Sequence, residues 1–374
     1  MNAASNRSSA VIGTRRFFIS LGSSLVVIAV TLFFFAPHLW FMTKIQPGTM
    51  EWDRALGFLA QCANPWEPYV EPALRWRLLP PTLAYWLGLR GLTPLALPWI
   101  GTITFLTSLH WMLRNRGFSQ RANLATLFLV AGSGGVLASL HWFGLNDSWY
   151  LLGLAVVTLG HGWRSLVYPC LLCPWIDERF LIALPLAIFS RTLLTPDFPK
   201  SAAWSHLLAL VARETWPCAI AVLPYAIVRG TFSQLDPELA SREFLKTVAR
   251  EFVIWAPYAP LAWWMGLRAA WLPLAVGLRA VLREAGAPAF VSAALLSLLM
   301  LGASLVIAQD MSRTAIILLP GVLGGAIVLA RSEAGERTLV VASLVNLLLP
   351  AMHVVSTSAE PMYFLPLELW RVFH

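Results

Sequence analysis

Three short stretches carry the side chains whose types and spacing could do chemistry. Glu51 and Asp53 flank Trp52, Arg75 and Arg77 flank Trp76, and Asp310 and Arg313 stand three residues apart between two long apolar runs. A carboxylate poised beside a hydroxyl can take its proton. Paired guanidiniums can hold a phosphate through forked hydrogen bonds. Each stretch also has a plainer reading. The acid pair can cap a helix, the arginine pair can anchor lipid headgroups, and Asp310 with Arg313 can form a self-contained pair within one helical turn. Two more polar points interrupt apolar sequence: "GLNDSW", where Asp147 is either a helix cap or a ligand, and "WIDER", which supplies Asp177, Glu178 and Arg179.

The elements that position these residues are membrane helices. The chain has 374 residues, is 58% hydrophobic and only 12% charged, and has a mean hydropathy of +0.67. That is far more apolar than a soluble domain. Its net charge of +8 does not point to nucleic acid, because the basic residues cluster at the ends of apolar runs: Arg15 with Arg16, Arg114 and Arg116 with Arg121, and Arg331 with Arg337. Such clusters mark cytoplasmic loops. The first apolar run, about 20 residues beginning at Phe17, exceeds the roughly 7 to 15 of a cleavable signal and lacks a small-x-small site after it, so it reads as a retained span. Four scattered Cys make no disulfide framework, and Cys170 and Cys173 read as ordinary buried thiols.

Hydropathy and the basic-loop bias predict an all-α, polytopic transmembrane protein forming a single helical domain over residues 1–374. They give about eleven spans near 17–37, 95–113, 123–141, 148–160, 164–175, 180–190, 215–228, 252–274, 289–308, 314–330 and 338–355. Several middle runs are shorter than the roughly 20 residues of a full crossing. With the N-terminus inside, alternation places 114–121 and 331–337 in the cytoplasm. It places the long loop of about 42–94, the turns at Asp147 and Asp177, the segment around 230–250 and the "QDMSR" turn on the opposite face. The scattered His residues show no zinc spacing.

The first external loop is polar beyond the needs of a connection. "EWDRALGFLAQCA" predicts a short amphipathic helix with both carboxylates at its N-terminal end, and "RWRLLPPTLAYWLGL" predicts an interfacial helix with an aromatic anchor. A first span, an acid-x-acid motif just after it and an "R-x-R-x-L-x-P"-like element together resemble the multi-span glycosyltransferases of the GT-C superfamily, over roughly the first 115 residues. The resemblance implies a polyprenyl-phosphate-linked sugar as donor, membrane lipid around the site, no nucleic acid, and a bacterial inner-membrane protein of the cell envelope acting on the outer face. It implies Asp53 as base, with Glu51 beside it. Single-displacement sugar transfer also needs cations to offset charge on the leaving phosphate. Arg75, Arg77 and Arg313 could serve, supported by Asp310 and Asp147, or a divalent cation such as Mg or Mn could. The chain lacks the C-terminal periplasmic domain of larger members, which leaves the acceptor open. A flippase or transporter for a lipid-linked saccharide, and an accessory membrane subunit without chemistry, are the alternative readings.

Overall fold

The computed structural model describes residues 3–67, 75–195, 198, 203–235, 252–307 and 310–374. The helices run in the order α1 (Ala3–Phe34), α2 (Leu39–Met42), α3 (Met50–Ala63), α4 (Leu79–Trp86), α5 (Ala96–Asn115), α6 (Gln120–Ala131), α7 (Gly134–His141), α8 (Asp147–Leu159), α9 (Arg164–Leu172) and α10 (Arg179–Leu193). They continue with α11 (Trp204–Leu235), α12 (Ala259–Leu267), α13 (Trp271–Glu284), α14 (Ala287–Ile307), α15 (Met311–Thr314), α16 (Leu319–Leu329), α17 (Glu333–Leu348) and α18 (Leu365–Phe373). Five helical stretches are long and apolar enough to cross a membrane, and six if the bent pair α6 and α7 counts as one. The protein is an all-α membrane protein. The expected short runs at 148–160, 164–175 and 180–190 form helices of 13, 9 and 15 residues.

Contacts sort the helix ends into two sets. Arg116 donates to the carbonyls of Leu159 (2.9 Å) and Leu194 (3.5 Å), Arg191 donates to those of Val157 and Gly160, and Arg331 pairs with Glu284 at 3.1 Å. At the other end Arg77, Asp147, Asp177 and Asp310 to Arg313 are joined by the contacts described below. This is the grouping that alternation of spans predicted. The expected segment 236–250, and Gln309 of the "QDMSR" turn, lie outside the described residues.

Both predicted helices of the first loop form. In α3, Glu51 and Asp53 occupy the first turn, where the exposed N–H groups favour negative charge. In α4, Pro80 and Pro81 open the helix, a position where the missing N–H costs nothing. The sequence reading of a span over 338–355 is corrected, since α17 stops at Leu348 and residues Ala351–Val355 form a strand, β1, antiparallel to β2 (Ser358–Met362). Pro350 disfavours helix at the residue before it, and Val354 with Val355 suits a pleated strand. The turn is made at Ser356, whose φ is +52°.

Helices 311–329 and 134–141 meet backbone to backbone. A Cβ at Gly134 would come within 2.5 Å of the Ser312 carbonyl oxygen, and one at Gly266 would strike the same oxygen. Small residues permit this approach in a membrane bundle, and it fixes the start of the α15–α16 segment beside α7. Arg268, at the break between α12 and α13, is fully buried. It donates to the carbonyls of Gly132 (3.2 Å), Asn346 and Leu349, and lies over the Phe35 ring at 4.4 Å. One guanidinium thereby satisfies carbonyls freed at the ends of α6 and α17.

Candidate functional site

At the second end of the bundle, three carboxylates and three guanidiniums from four separate segments form one network. Asp147, the first residue of α8, accepts from Arg313 through Nε and Nη2 (2.7 Å to the latter) and from Arg179 Nη2 at 2.8 Å. Asp177 accepts from Arg179 Nε at 2.8 Å and Nη2 at 2.7 Å, and pairs with Arg77 Nη1 at 3.2 Å. Asp310 caps its own turn, its Oδ1 accepting from Arg313 N at 3.1 Å, and its Oδ2 stands 3.8 Å from Arg313 Nη1. Arg179 also lies over the Tyr150 ring at 5.1 Å. Asp147, Asp177, Arg179, Asp310 and Arg313 are all buried.

Burying a charge is costly unless it is paired, and three against three leaves none over. Asp147 and Asp177 are each saturated by two guanidiniums, so neither is free to accept a proton. Burial would raise the Asp177 carboxyl, but Arg179 and Arg77 beside it outweigh burial and hold it below the usual carboxylate range. Arg77 is the member turned outward. Its side chain is 25% exposed, its Nε has no hydrogen-bond partner, and it lines a cavity of about 20 Å³ with Arg54, Phe58 and Gln61 of α3.

The expected site residues divide accordingly. Arg77, Arg313, Asp310 and Asp147 come together. Arg75 is half-buried and forms no ion pair among the described residues. The acid motif splits, because residues two apart on a helix do not share a face. Asp53 is exposed, its Oδ1 accepting from Gly48 N at 2.7 Å. Glu51 is buried and bonds His38 Nδ1 at 3.0 Å, while His38 Nε2 meets the Pro361 carbonyl at 3.1 Å. The Glu51 carboxylate and the Pro361 carbonyl both accept hydrogen bonds, an arrangement that a doubly protonated His38 ring satisfies. The Glu51 hydrogen bond raises its pKa against the opposing effect of burial.

Asp177, Arg179 and His38 are the residues that sequence reasoning did not assign. The "IDER" turn was visible as an acid and a base within apolar sequence, but its partners Asp147 and Arg313 are distant in the chain. His38 carried no signal. Among the described residues no group of three or more His, Cys, Asp or Glu side chains is placed to hold a metal ion, and the clustered carboxylates are occupied by arginines. These carboxylates therefore do not fit a divalent cation.

Two larger cavities lie elsewhere in the molecule. One, of about 650 Å³, has His38 in its wall. The other is an apolar groove of about 620 Å³ between α4, α8 and α9, reaching from Leu79, Pro80 and Ile176 to His161, Arg164 and Ser165. Pro80 and Ile176 also line the small cavity that holds Arg77, so the apolar groove ends beside that guanidinium. The chain matches no known protein family, and no curated protein or solved structure is similar to it.

Proposed function

We propose that the protein is a polytopic glycosyltransferase of the GT-C kind. It takes a sugar from a polyprenyl-phosphate donor at the outer face of a bacterial inner membrane, and its N-terminus is cytoplasmic. In this reading the chain makes about eleven passes, with α8, α9, α10 and the 16-residue α17 as short or tilted ones. The observation that carries it is the apolar groove ending at Arg77, which suits a hydrophobic chain with a phosphate at its head. A partly exposed guanidinium can hydrogen-bond a phosphate oxygen, while Asp177, Arg179 and Arg313 behind it fix its position. Asp53, exposed in the first turn of α3, takes the acceptor's proton as the sugar–phosphate bond breaks, and Arg77 offsets the charge that collects on the leaving phosphate.

The saturated, neutral network favours a second reading, an accessory subunit in which the six charges only brace the loops. Transfer from a radiolabelled polyprenyl-phosphate sugar in proteoliposomes separates the two. Asp53→Asn retains an oxygen for Gly48 N–H and removes the charge. It should lower the rate by on the order of 10² to 10⁴ at unchanged Tm. Arg77→Lys keeps the charge but loses the guanidinium, and should raise the KM for the donor. Full activity in the Asp53→Asn protein would remove the base and most of the case for an enzyme.

A further inference from the structure

The cavity of about 650 Å³ lies away from the apolar groove, walled by α2, the β1–β2 hairpin and α18. Its size falls within the roughly 300 to 1,000 Å³ of small-molecule sites. Six of its eleven lining residues are polar or charged and the rest are apolar, which suits an occupant with both polar groups and an apolar face. The lining charges are mostly committed to one another. Arg371 donates to the buried Glu368 at 3.0 Å and stacks on Tyr363 at 4.7 Å, and the His38 ring is held by Glu51 and Pro361.

Glu360 differs. It is half-buried, lines the cavity, and has no hydrogen bond or ion pair among the described residues. Across the strands it faces His353, with which it is in register. With His38 held by Glu51 and Arg371 by Glu368, Glu360 is the lining carboxylate left to accept a hydrogen bond among the described residues. Trp40, 44% exposed, and Phe41 supply ring surface beside these polar groups. A neutral ligand rich in hydroxyls, with an apolar C–H face, matches this lining: hydroxyls donate to the free carboxylate and the C–H face packs on a ring.

We infer that this cavity is a saccharide-binding site in which Glu360 accepts hydrogen bonds from sugar hydroxyls and Trp40 packs against the ring. Burial, and the nearby Glu51, raise the Glu360 carboxyl, so it gains from a donor that a hydroxyl can supply. The site stands apart from the donor groove, and α3 touches the surroundings of each, Glu51 bonding His38 while Arg54, Phe58 and Gln61 line the Arg77 cavity.

The test is binding rather than transfer, so it succeeds or fails independently of the donor reading. Methyl glycosides of mannose, glucose, galactose and arabinose are titrated against the full-length protein in nanodiscs, with saturation-transfer NMR as the readout. At least one should bind. Its Kd should weaken about tenfold in Glu360→Gln, the scale of a hydrogen bond to a charged group, and similarly in Trp40→Ala. Arg337→Gln, far along α17, should leave it unchanged. Thermal unfolding of each variant confirms that the fold is intact. The inference is overturned if no glycoside binds at up to about 10 mM, tenfold above a millimolar Kd. It is also overturned if binding survives undiminished in folded Glu360→Gln and Trp40→Ala.

Discussion

Replacing Asp147 by asparagine removes the carboxylate to which Arg313 and Arg179 both donate. Asparagine keeps the shape and a carbonyl oxygen but leaves three guanidiniums, two of them buried, facing two carboxylates. Removing one partner of a buried pair costs roughly 3 to 5 kcal/mol. The Coulomb scale agrees, since unit charges ~4 Å apart attract by about 4 kcal/mol at an effective dielectric near ~20. The loss stays nearer one pair than two. Arg179 keeps both of its bonds to Asp177, and Arg313 remains 3.8 Å from Asp310 and 4.0 Å from Asp177. At ~2 to 4 °C per kcal/mol, Tm should fall on the order of 10 °C. Unfolding can be followed in detergent through intrinsic fluorescence, as the chain has 18 Trp. The decisive comparison is a cycle with Arg313→Gln. The double variant leaves two carboxylates and two guanidiniums, so it should recover roughly 1 to 3 kcal/mol relative to the sum of the single losses. Simple additivity would refute the claim that charge balance holds these segments together.

Two further outcomes follow from particular contacts. His38 has a folded pKa raised above the ordinary value near ~6.5, so its contribution is fully present below that value and is lost as pH rises through the folded pKa. The Tm difference between wild type and His38→Gln should therefore be largest near pH ~6 and shrink towards pH ~9, and a difference independent of pH would show that the imidazolium does not form. A Cβ at Gly325 would overlap the Pro273 carbonyl oxygen where α13 crosses α16, whereas nothing lies within 4 Å of one at Gly302. Gly325→Ala should cost roughly 1 to 3 kcal/mol or more and Gly302→Ala little, and equal Tm values for the two would disprove the close crossing.

The sequence by itself determined what local chemistry controls. Apolar runs must shield their backbone from lipid, so membrane helices were legible from composition. Arginine clusters sorted the loops into two sets, which Arg116, Arg191 and Arg331 bear out at one end of the bundle. The helix beginning at Glu51 and Asp53, and the one opened by Pro80 and Pro81, were legible because terminal charge and proline act within one turn. The hairpin was missed because Val354 and Val355 are as apolar in a strand as in a span, and hydropathy does not separate the two.

Only the tertiary structure decided which charges meet. Arg313 and Asp147 are 166 residues apart, and His38 and Pro361 are 323 apart. No periodicity reaches across such separations. Asp177 and Arg179 stood without an assigned role in the sequence until packing buried them against Asp147, and Glu51 and Asp53 looked like one acidic motif until α3 buried the first and exposed the second. Residue types along the chain set how many charges must find partners, whereas their pairing depends on which helix ends the bundle brings within hydrogen-bonding distance.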